Sequence, residues 1–225
     1  MNFVTVKKIH LTADTAYLAG LIIGDGHLAN STKSKTDLSP DYQIMIDISD
    51  IDFLSEVHLI IKSIINTKSV PKESKVRGNR ISRHYLCIRN KHLFYFLNRD
   101  MEIPKGKKSD TIIVPKLIIG GSGDAKKHFL AGYFDADGGF RGQSLGFTTA
   151  SKDMNKGVSS LLTYFGIEHG LDSWINQKYG KRFFGIRIKV SMIDRFLKEF
   201  PLRNVQKLHR IHDKFTWRCR SGQTG

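Results

Sequence analysis

Cysteine is almost missing from this chain. Cys87 and Cys219 are the only two in 225 residues, and no close Cys/His cluster accompanies them. That excludes a disulfide framework and argues against a structural zinc site. Long apolar runs are missing too: none approaches the roughly 18 residues needed to span a membrane. The N-terminus lacks a signal-peptide pattern, and Lys7 and Lys8 alone do not make a transit peptide. The nine histidines are scattered with no His-Asn-His order, which leaves that metal-nuclease motif unsupported.

Negative charge is also scarce. Asp and Glu number 21 against 36 Lys and Arg, a net charge of +15. Cutting the chain after Ile112 leaves both parts basic, the second more so. The hydrophobic share of 40% is ordinary for a folded protein, so wholesale disorder is not expected. A folded chain this basic is expected to meet a polyanion, with nucleic acid ahead of an acidic membrane and a merely solubilising surface charge as the bland alternative. The chain is expected to work inside the cell. No membrane partner is expected.

Two stretches echo each other. Leu18-Ala19-Gly20-Leu21-Ile22-Ile23-Gly24-Asp25-Gly26 returns 112 positions later as Leu130-Ala131-Gly132-Tyr133-Phe134-Asp135-Ala136-Asp137-Gly138. Each is an apolar run with small residues at its third and seventh places, ending in Asp-Gly. On a helix, Gly20 and Gly24 fall on one face one turn apart, as do Gly132 and Ala136. Bare faces of this kind let two helix backbones come very close. Packed side by side in parallel, the helices would bring Asp25 and Asp137 out together at their C-terminal ends. Two carboxylates meeting at one point suit a divalent metal.

The flanking chain repeats as well. Thr12 and Asp14 offer caps for the first signature helix. Tyr42 to Ile48 alternates as a strand with Tyr42, Ile44, Ile46 and Ile48 on one face and Gln43, Met45 and Asp47 on the other. Ser49 or Asp50 caps a helix striped by Leu54, Val57, Ile61, Ile64 and Ile65. Residues 70–81 read as a basic hairpin around Gly78-Asn79, residues 83–89 as the returning strand, and 91–97 as a short helix. Residues 103–127 read as the connection. The second half then offers a helix capped by Asp124, two short strands over 139–149 and a helix over 153–165 closed by Gly166. A hairpin over 168–177 and 182–190, a helix over 193–200 and a basic helix over 205–218 follow. Leu86-Cys87-Ile88-Arg89 aligns with Ile186-Arg187-Ile188-Lys189, and Phe96-Leu97 with Phe196-Leu197, at an offset of 100. Met101, Met154 and the many phenylalanines read as core.

The paired nonapeptides resemble the signature of the LAGLIDADG homing endonucleases, in the monomeric form that carries both copies in one chain. The second copy departs from the family name only at Tyr133 and Phe134; the first has Ile23 and Gly24 where the name has Asp and Ala. The resemblance implies an α+β fold of duplicated αββαββα units. Two antiparallel four-stranded sheets would form a DNA-binding saddle, with a pseudo-twofold axis between the signature helices. The boundaries expected are 1–103 for the first half, 104–123 for a linker and 124–225 for the second half.

Hydrolysis of a phosphodiester needs a positioned water, neutralised phosphate charge and help for the leaving oxygen, which divalent ions between facing carboxylates supply. Magnesium, with manganese able to substitute, suits few protein carboxylates plus water and phosphate. Asp25 and Asp137 are the expected ligands. The resemblance adds the carbonyls of the preceding residues, Gly24 and Ala136. Asp135 lies two residues from Asp137 and so off its face, with Ile23 as its counterpart, and reads as structural or solvating. His27, matched by Gly139, reads as a surface group. The matched Arg89 and Lys189 are the candidate basic residues beside the scissile phosphate. A water-holding polar residue on the second strand, as the family often has, is either Asp47 or Gln43. Candidate DNA contacts are Gln43, Asp47, Arg83, Arg141, Gln143 and Arg187, with Lys33, Lys35, Arg77, Arg80, Lys181 and Arg182 on loops. Arg suits guanine and Gln suits adenine, although each single residue reads equally as a phosphate contact.

The leading expectation is a site-specific endonuclease, encoded within an intron. It would cleave both strands of a long asymmetric DNA target as a monomer and leave short 3′ overhangs. The alternatives are an RNA maturase, with intron RNA as partner, and a non-catalytic DNA-binding protein on the same fold.

Overall fold

The structure, a computed structural model, describes residues 8–32, 40–74, 83–178 and 180–221. Helix α1 (Ala13–Asp25) starts at Thr12, whose side chain accepts from the Thr15 amide while Thr15 bonds back to the Thr12 amide. That reciprocal box satisfies two donors the helix leaves open. Strands β1 (Gly26–Thr32) and β2 (Pro40–Ile48), helix α2 (Ile51–Ile64), strands β3 (Lys72–Glu73) and β4 (His84–Arg89) and helix α3 (Lys91–Tyr95) follow. Asp50 caps α2. Beyond α3 the chain continues as one wide π-helical turn over Phe96–Asp100, so this helical segment runs past the 97 expected.

The second half repeats the order. Helix α5 (Gly123–Asp137) is followed by β5 (Gly139–Arg141), β6 (Ser144–Thr149), α6 (Lys152–Tyr164), β7 (His169–Asn176), β8 (Lys181–Ile188), α7 (Ile193–Glu199) and α8 (Val205–Ser221). Ser122, not Asp124, caps α5: its hydroxyl accepts from the Ala125 amide, and Asp124 sits in the first turn. Lys181 and Arg182 belong to β8 and not to a loop. Each half holds a four-stranded antiparallel sheet, ordered β1-β2-β4-β3 and β5-β6-β8-β7. This is the α+β architecture expected.

Strand parity assigns the faces. Ile44, Ile46, Leu86 and Ile88 are fully buried under α2 and α3, and their register partners match: Ile46 opposes Leu86 and Ile44 opposes Ile88. Gln43, Met45, Asp47, Tyr85, Cys87 and Arg89 therefore share the other face. In the second sheet Ile186 and Ile188 are buried, and Arg187 turns to the opposite side. Met101, Met154 and most phenylalanines are core, as expected.

The connection between the halves is not a free tether. It contains helix α4 (Lys116–Ile119), and Ile112, Val114 and Ile118 are buried. Its early part lies along β1, where the Gly106 amide donates to the Leu28 carbonyl at 2.9 Å. Its later part packs beneath α6, where Ser151 donates to the Ile112 carbonyl at 2.6 Å.

The halves meet at α1 and α5. A Cβ added at Gly20 would overlap the Phe129 carbonyl oxygen and lie 2.7 Å from the Tyr133 nitrogen. One added at Gly132 would overlap the Tyr17 carbonyl oxygen and lie 3.1 Å from the Leu21 nitrogen. One added at Gly24 would overlap the Ala136 methyl. Residue numbers rise together along both helices, so they are parallel and touch backbone to backbone. Gly20→Ala and Gly132→Ala are therefore expected to destabilise the protein by about 2 kcal/mol or more, since neither backbone can yield. Gly139→Ala, which meets nothing within 4 Å, should stay within about 0.5 kcal/mol of wild type in urea unfolding.

Candidate active site

Because α1 and α5 are parallel and end in register, Asp25 and Asp137 come together beneath the helix pair. An added Cβ at Gly24 would lie 3.2 Å from the Asp137 carboxyl carbon, so the Asp137 side chain crosses over the end of α1. Both helices aim their negative ends at this point. Burial raises the pKa of Asp25. Burial, then the charge of Asp25, pushes Asp137 up to about 6.

Two lysines answer this negative charge, one from the connection and one from the second half. Lys108 Nζ donates to the Gly26 carbonyl just past α1 at 2.6 Å. Lys207 Nζ donates to the carbonyls of Phe134, Asp135 and Gly138 at 2.8, 2.7 and 2.8 Å, and to Ala136 at 3.3 Å, closing the C-terminal end of α5. Burial lowers the pKa of both, opposed by the charges of the site aspartates. Sequence reasoning missed both. Their separation, 99 residues, falls almost on the internal register at 100; that signal was there to find.

A cleft of about 470 Å³ opens beside Asp25, lined among others by Asp47, Arg83, Asp135, Lys207 and Arg210. Of the two second-strand candidates, Asp47 is the one whose charge reaches Asp25. Gln43 is turned to Asp41, bonding it at 2.6 Å. Arg83 also lines this cleft, and its charge reaches Asp25.

Arg89 and Lys189 are matched in register but engaged elsewhere. Arg89 Nε bonds both carboxylate oxygens of Asp41 at 3.0 Å, and Lys189 bonds Glu168 at 2.6 Å. The cations set against the carboxylate pair are Lys108 and Lys207 instead. Asp135 is structural, as expected: buried, with Tyr17 and two backbone amides as donors. His27 is exposed.

On the second sheet, Arg141, Arg187 and Asp172 form one cluster. Arg141 Nη2 bonds Asp172 at 2.8 and 2.9 Å, its Nη1 bonds Thr148 at 2.6 Å, and its guanidinium stacks 4.6 Å from the Trp174 ring centre. Arg187 bonds Asp172 at 3.3 Å. Gly185 leaves the room for this: any Cβ there would overlap Asp172 and Arg141. Lys181 pairs with Asp110 at 2.8 Å. Arg182 sits opposite Ile175 on the helix-covered side and bonds Ser173 at 3.3 Å. Gln143 is exposed in the turn from β5 to β6. Lys33, Lys35, Arg77 and Arg80 lie outside the described residues.

Among the described residues no group of three or more His, Cys, Asp or Glu side chains is poised for a metal. The donor set is two carboxylates with backbone carbonyls at the helix ends, open to the cleft. It fits an oxygen-seeking divalent ion that draws its other ligands from water or phosphate, as magnesium does.

Residues 124–201 match the family of LAGLIDADG-like domains. The replication factor C small subunit of Methanocaldococcus jannaschii is 27% identical over 214 residues, 93% of this chain. That of Thermococcus kodakarensis is 32% identical over 108 residues, 47% of this chain. The chain spans only 10% and 12% of the length of these two relatives. Among solved structures, I-DmoI in complex with DNA and Mn superposes with a TM-score of 0.65 at 20% identity, covering 85% of this chain and 97% of that one. I-WcaI bound to its DNA recognition sequence gives 0.55 at 15% identity, covering 84% and 81%. At these identities the likeness establishes the fold alone, the one shared with these two structures.

The raised pKa of Asp137 has a measurable consequence. The folded chain binds this proton more tightly than the unfolded chain, whose carboxyl titrates near 3.8. Stability of the metal-free protein therefore falls as pH rises from 4 through 6, and the loss is complete above that. The Asp137 side chain is more than a third exposed, which limits the loss to on the order of 1 kcal/mol. Metal-free Asp137→Asn should be more stable than wild type by that amount at pH 7.5, with the difference shrinking toward pH 4 in thermal unfolding. Added Mg²⁺ should stabilise wild type and not the variant.

Proposed function

Taking the chain as a LAGLIDADG protein of the two-motif type, we propose that it is a site-specific, divalent-metal-dependent DNA endonuclease that cuts both strands of one long, asymmetric site. The observation that carries this reading is the meeting of Asp25 and Asp137 beneath two backbone-packed helices, with Lys108 and Lys207 beside them. Asp25 and Asp137, with the carbonyls of Gly24 and Ala136, would hold Mg²⁺, or Mn²⁺ in its place. A bound ion of this kind supplies charge neutralisation on the phosphate and a more acidic attacking water.

The chain's own groups do the rest. Lys108 and Lys207 are half-buried and fixed by backbone carbonyls, so they meet developing negative charge without rearranging. Asp47, in the cleft beside Asp25, is the group suited to accept a proton from an ordered water there. The sheet faces that carry Gln43 and Asp47, and Arg141 and Arg187, would lie in successive major-groove turns. Flanking lysines and arginines would track the phosphates. One chain carries both signatures and so acts as a monomer, with half-domains at 1–103 and 124–225 joined by 104–123. The I-DmoI and I-WcaI structures solved with DNA support a DNA target. In the two curated relatives the matching segment is a small part of a much longer chain. We take its home to be an intron and its working place the cell's DNA. The cut ends are taken as short 3′ overhangs.

The test is incubation of the purified protein with a plasmid carrying its insertion locus and Mg²⁺. Double-strand cleavage is expected. Asp25→Asn and Asp137→Asn should each abolish it while leaving DNA affinity within about threefold, since metal ligands contribute little to groove contacts. Affinity should fall steeply with salt as counterions are released. Cleavage that survives either substitution sinks the mechanism.

A further inference from the structure

Asp135 has no counterpart in the first half, where Ile23 occupies the same place, and the carboxylate pair does not use it. It is only 2% exposed. One oxygen, Oδ2, accepts from Tyr17 Oη at 2.6 Å, from the Arg203 amide at 2.6 Å and from the Asn204 amide at 3.3 Å. Its other oxygen is buried with no hydrogen-bond partner among the described residues. So polar a group, in the tightest interface of the molecule, needs a reason beyond packing, because an apolar residue such as Ile23 fills the equivalent place.

The bonds lead to one end point. Arg203 lies with its guanidinium 4.7 Å from the centre of the Tyr17 ring and donates to Asp14 at 3.0 Å; Asp14 in turn accepts from Ser63 at 2.7 Å. Asn204, whose amide is fixed on Asp135, caps α8: its side chain accepts from the Lys207 amide at 2.9 Å and its carbonyl from Leu208 at 2.9 Å. The first turn of α8 then delivers Lys207 Nζ to the end of α5. Asp135 thus ties the α8 start to α1 and α5 just where a lysine must reach the carboxylates.

We propose that Asp135 is a positioning residue that sets Lys207 against the Asp25–Asp137 pair, acting through Arg203, Asn204 and the cap of α8. This rests on the endonuclease reading. Among the described residues Lys108 has no equivalent strap; it arrives from the connection running along β1. Loss of the strap should therefore slow one strand's cleavage more than the other's.

The experiment uses the full chain, its duplex target and Mg²⁺, with the single-turnover rate for each strand measured alongside DNA affinity in metal-free buffer. Asp135→Ala is expected to lower the rate about 10- to 100-fold, as small misplacements of a reacting group do, and to build up a nicked intermediate. Affinity should change less than about threefold, because the strap lies away from the groove faces. Asp135→Asn keeps an acceptor oxygen for the same donors and should return the rate to within about threefold of wild type. Lys207→Met should slow the Asp135→Ala protein far less than it slows wild type, the signature of groups acting as a unit. Asp135→Ser serves the same comparison should the alanine variant not fold.

Multiplicative effects of Asp135→Ala and Lys207→Met overturn the proposal. So does an Asn variant as slow as Ala, or a rate that merely follows the folded fraction measured by circular dichroism. If wild type does not cut, or Asp137→Asn still does, the endonuclease reading fails instead. Wild-type cutting with a dead Asp137→Asn and fully additive variants removes only the positioning role.

Discussion

Backbone contact between α1 and α5 is the constraint on which the rest depends. At Gly20 and Gly132 there is no room for even a methyl group, because the facing atoms are main-chain atoms. The helices consequently lie closer than side-chain-mediated packing allows, and their ends coincide. Coincident ends put two carboxylates together without any loop having to fold back. The same contact fixes how the two sheets are set relative to each other, since each hangs from the C-terminal end of its own signature helix through β1 or β5. One steric requirement therefore governs both the chemistry of the site and the shape of the surface around it.

That arrangement is electrostatically unfavourable on its own. Two helix C-termini and two aspartates converge, and solvation of the charges is reduced; hence the upward shift of both carboxyls. Lys108 and Lys207 offset this by bonding the carbonyls that the helix ends leave open, so that they satisfy backbone acceptors and balance charge at once. The four charges roughly cancel, but the cancellation is incomplete wherever solvent and a cation are missing. A centre left slightly destabilised in the free protein is one that gains from binding a divalent ion.

The parts legible in the sequence were those with a period or a repeat. The bare faces of Gly20, Gly24, Gly132 and Ala136, the alternation through Tyr42 to Ile48 and the offset of 100 all express geometry as spacing. Parity separated Cys87 and Arg89 from Leu86 and Ile88, yet it said nothing about which acid each cation would find. Arg89 turned to Asp41 and Lys189 to Glu168, choices set by tertiary neighbours. Lys108 and Lys207 carried only their near-register spacing, 99 against 100, among 36 basic residues. Lys108 lies in the connection and Lys207 in the first turn of α8, segments whose path is decided by packing against β1 or by the Asp135 bonds. Ser122 rather than Asp124 caps α5 for a similar reason, as either residue type serves and one position of shift is invisible to composition.

The two halves have kept in common what the interface demands and diverged where it does not. On the second sheet the open face is built around Asp172, which holds Arg141 and Arg187 in fixed orientations beside a Trp174–Phe183 stack. The corresponding face of the first sheet presents Met45, Tyr85 and Cys87 among Gln43, Asp47 and Arg89, with Asp41 at the start of β2 holding Gln43 and Arg89. In a symmetric dimer one substitution would alter both faces together, and a reader of asymmetric DNA could not arise from it. Joining the copies in one chain frees each face to change alone. The glycines of the helix pair have no such freedom, since a side chain at either one collides with the backbone of the other half. On the proposed function, asymmetry of target and rigidity of the catalytic centre then follow from one cause: the interface is made of main chain, which sequence drift cannot remodel, whereas the groove faces are made of side chains, which it can.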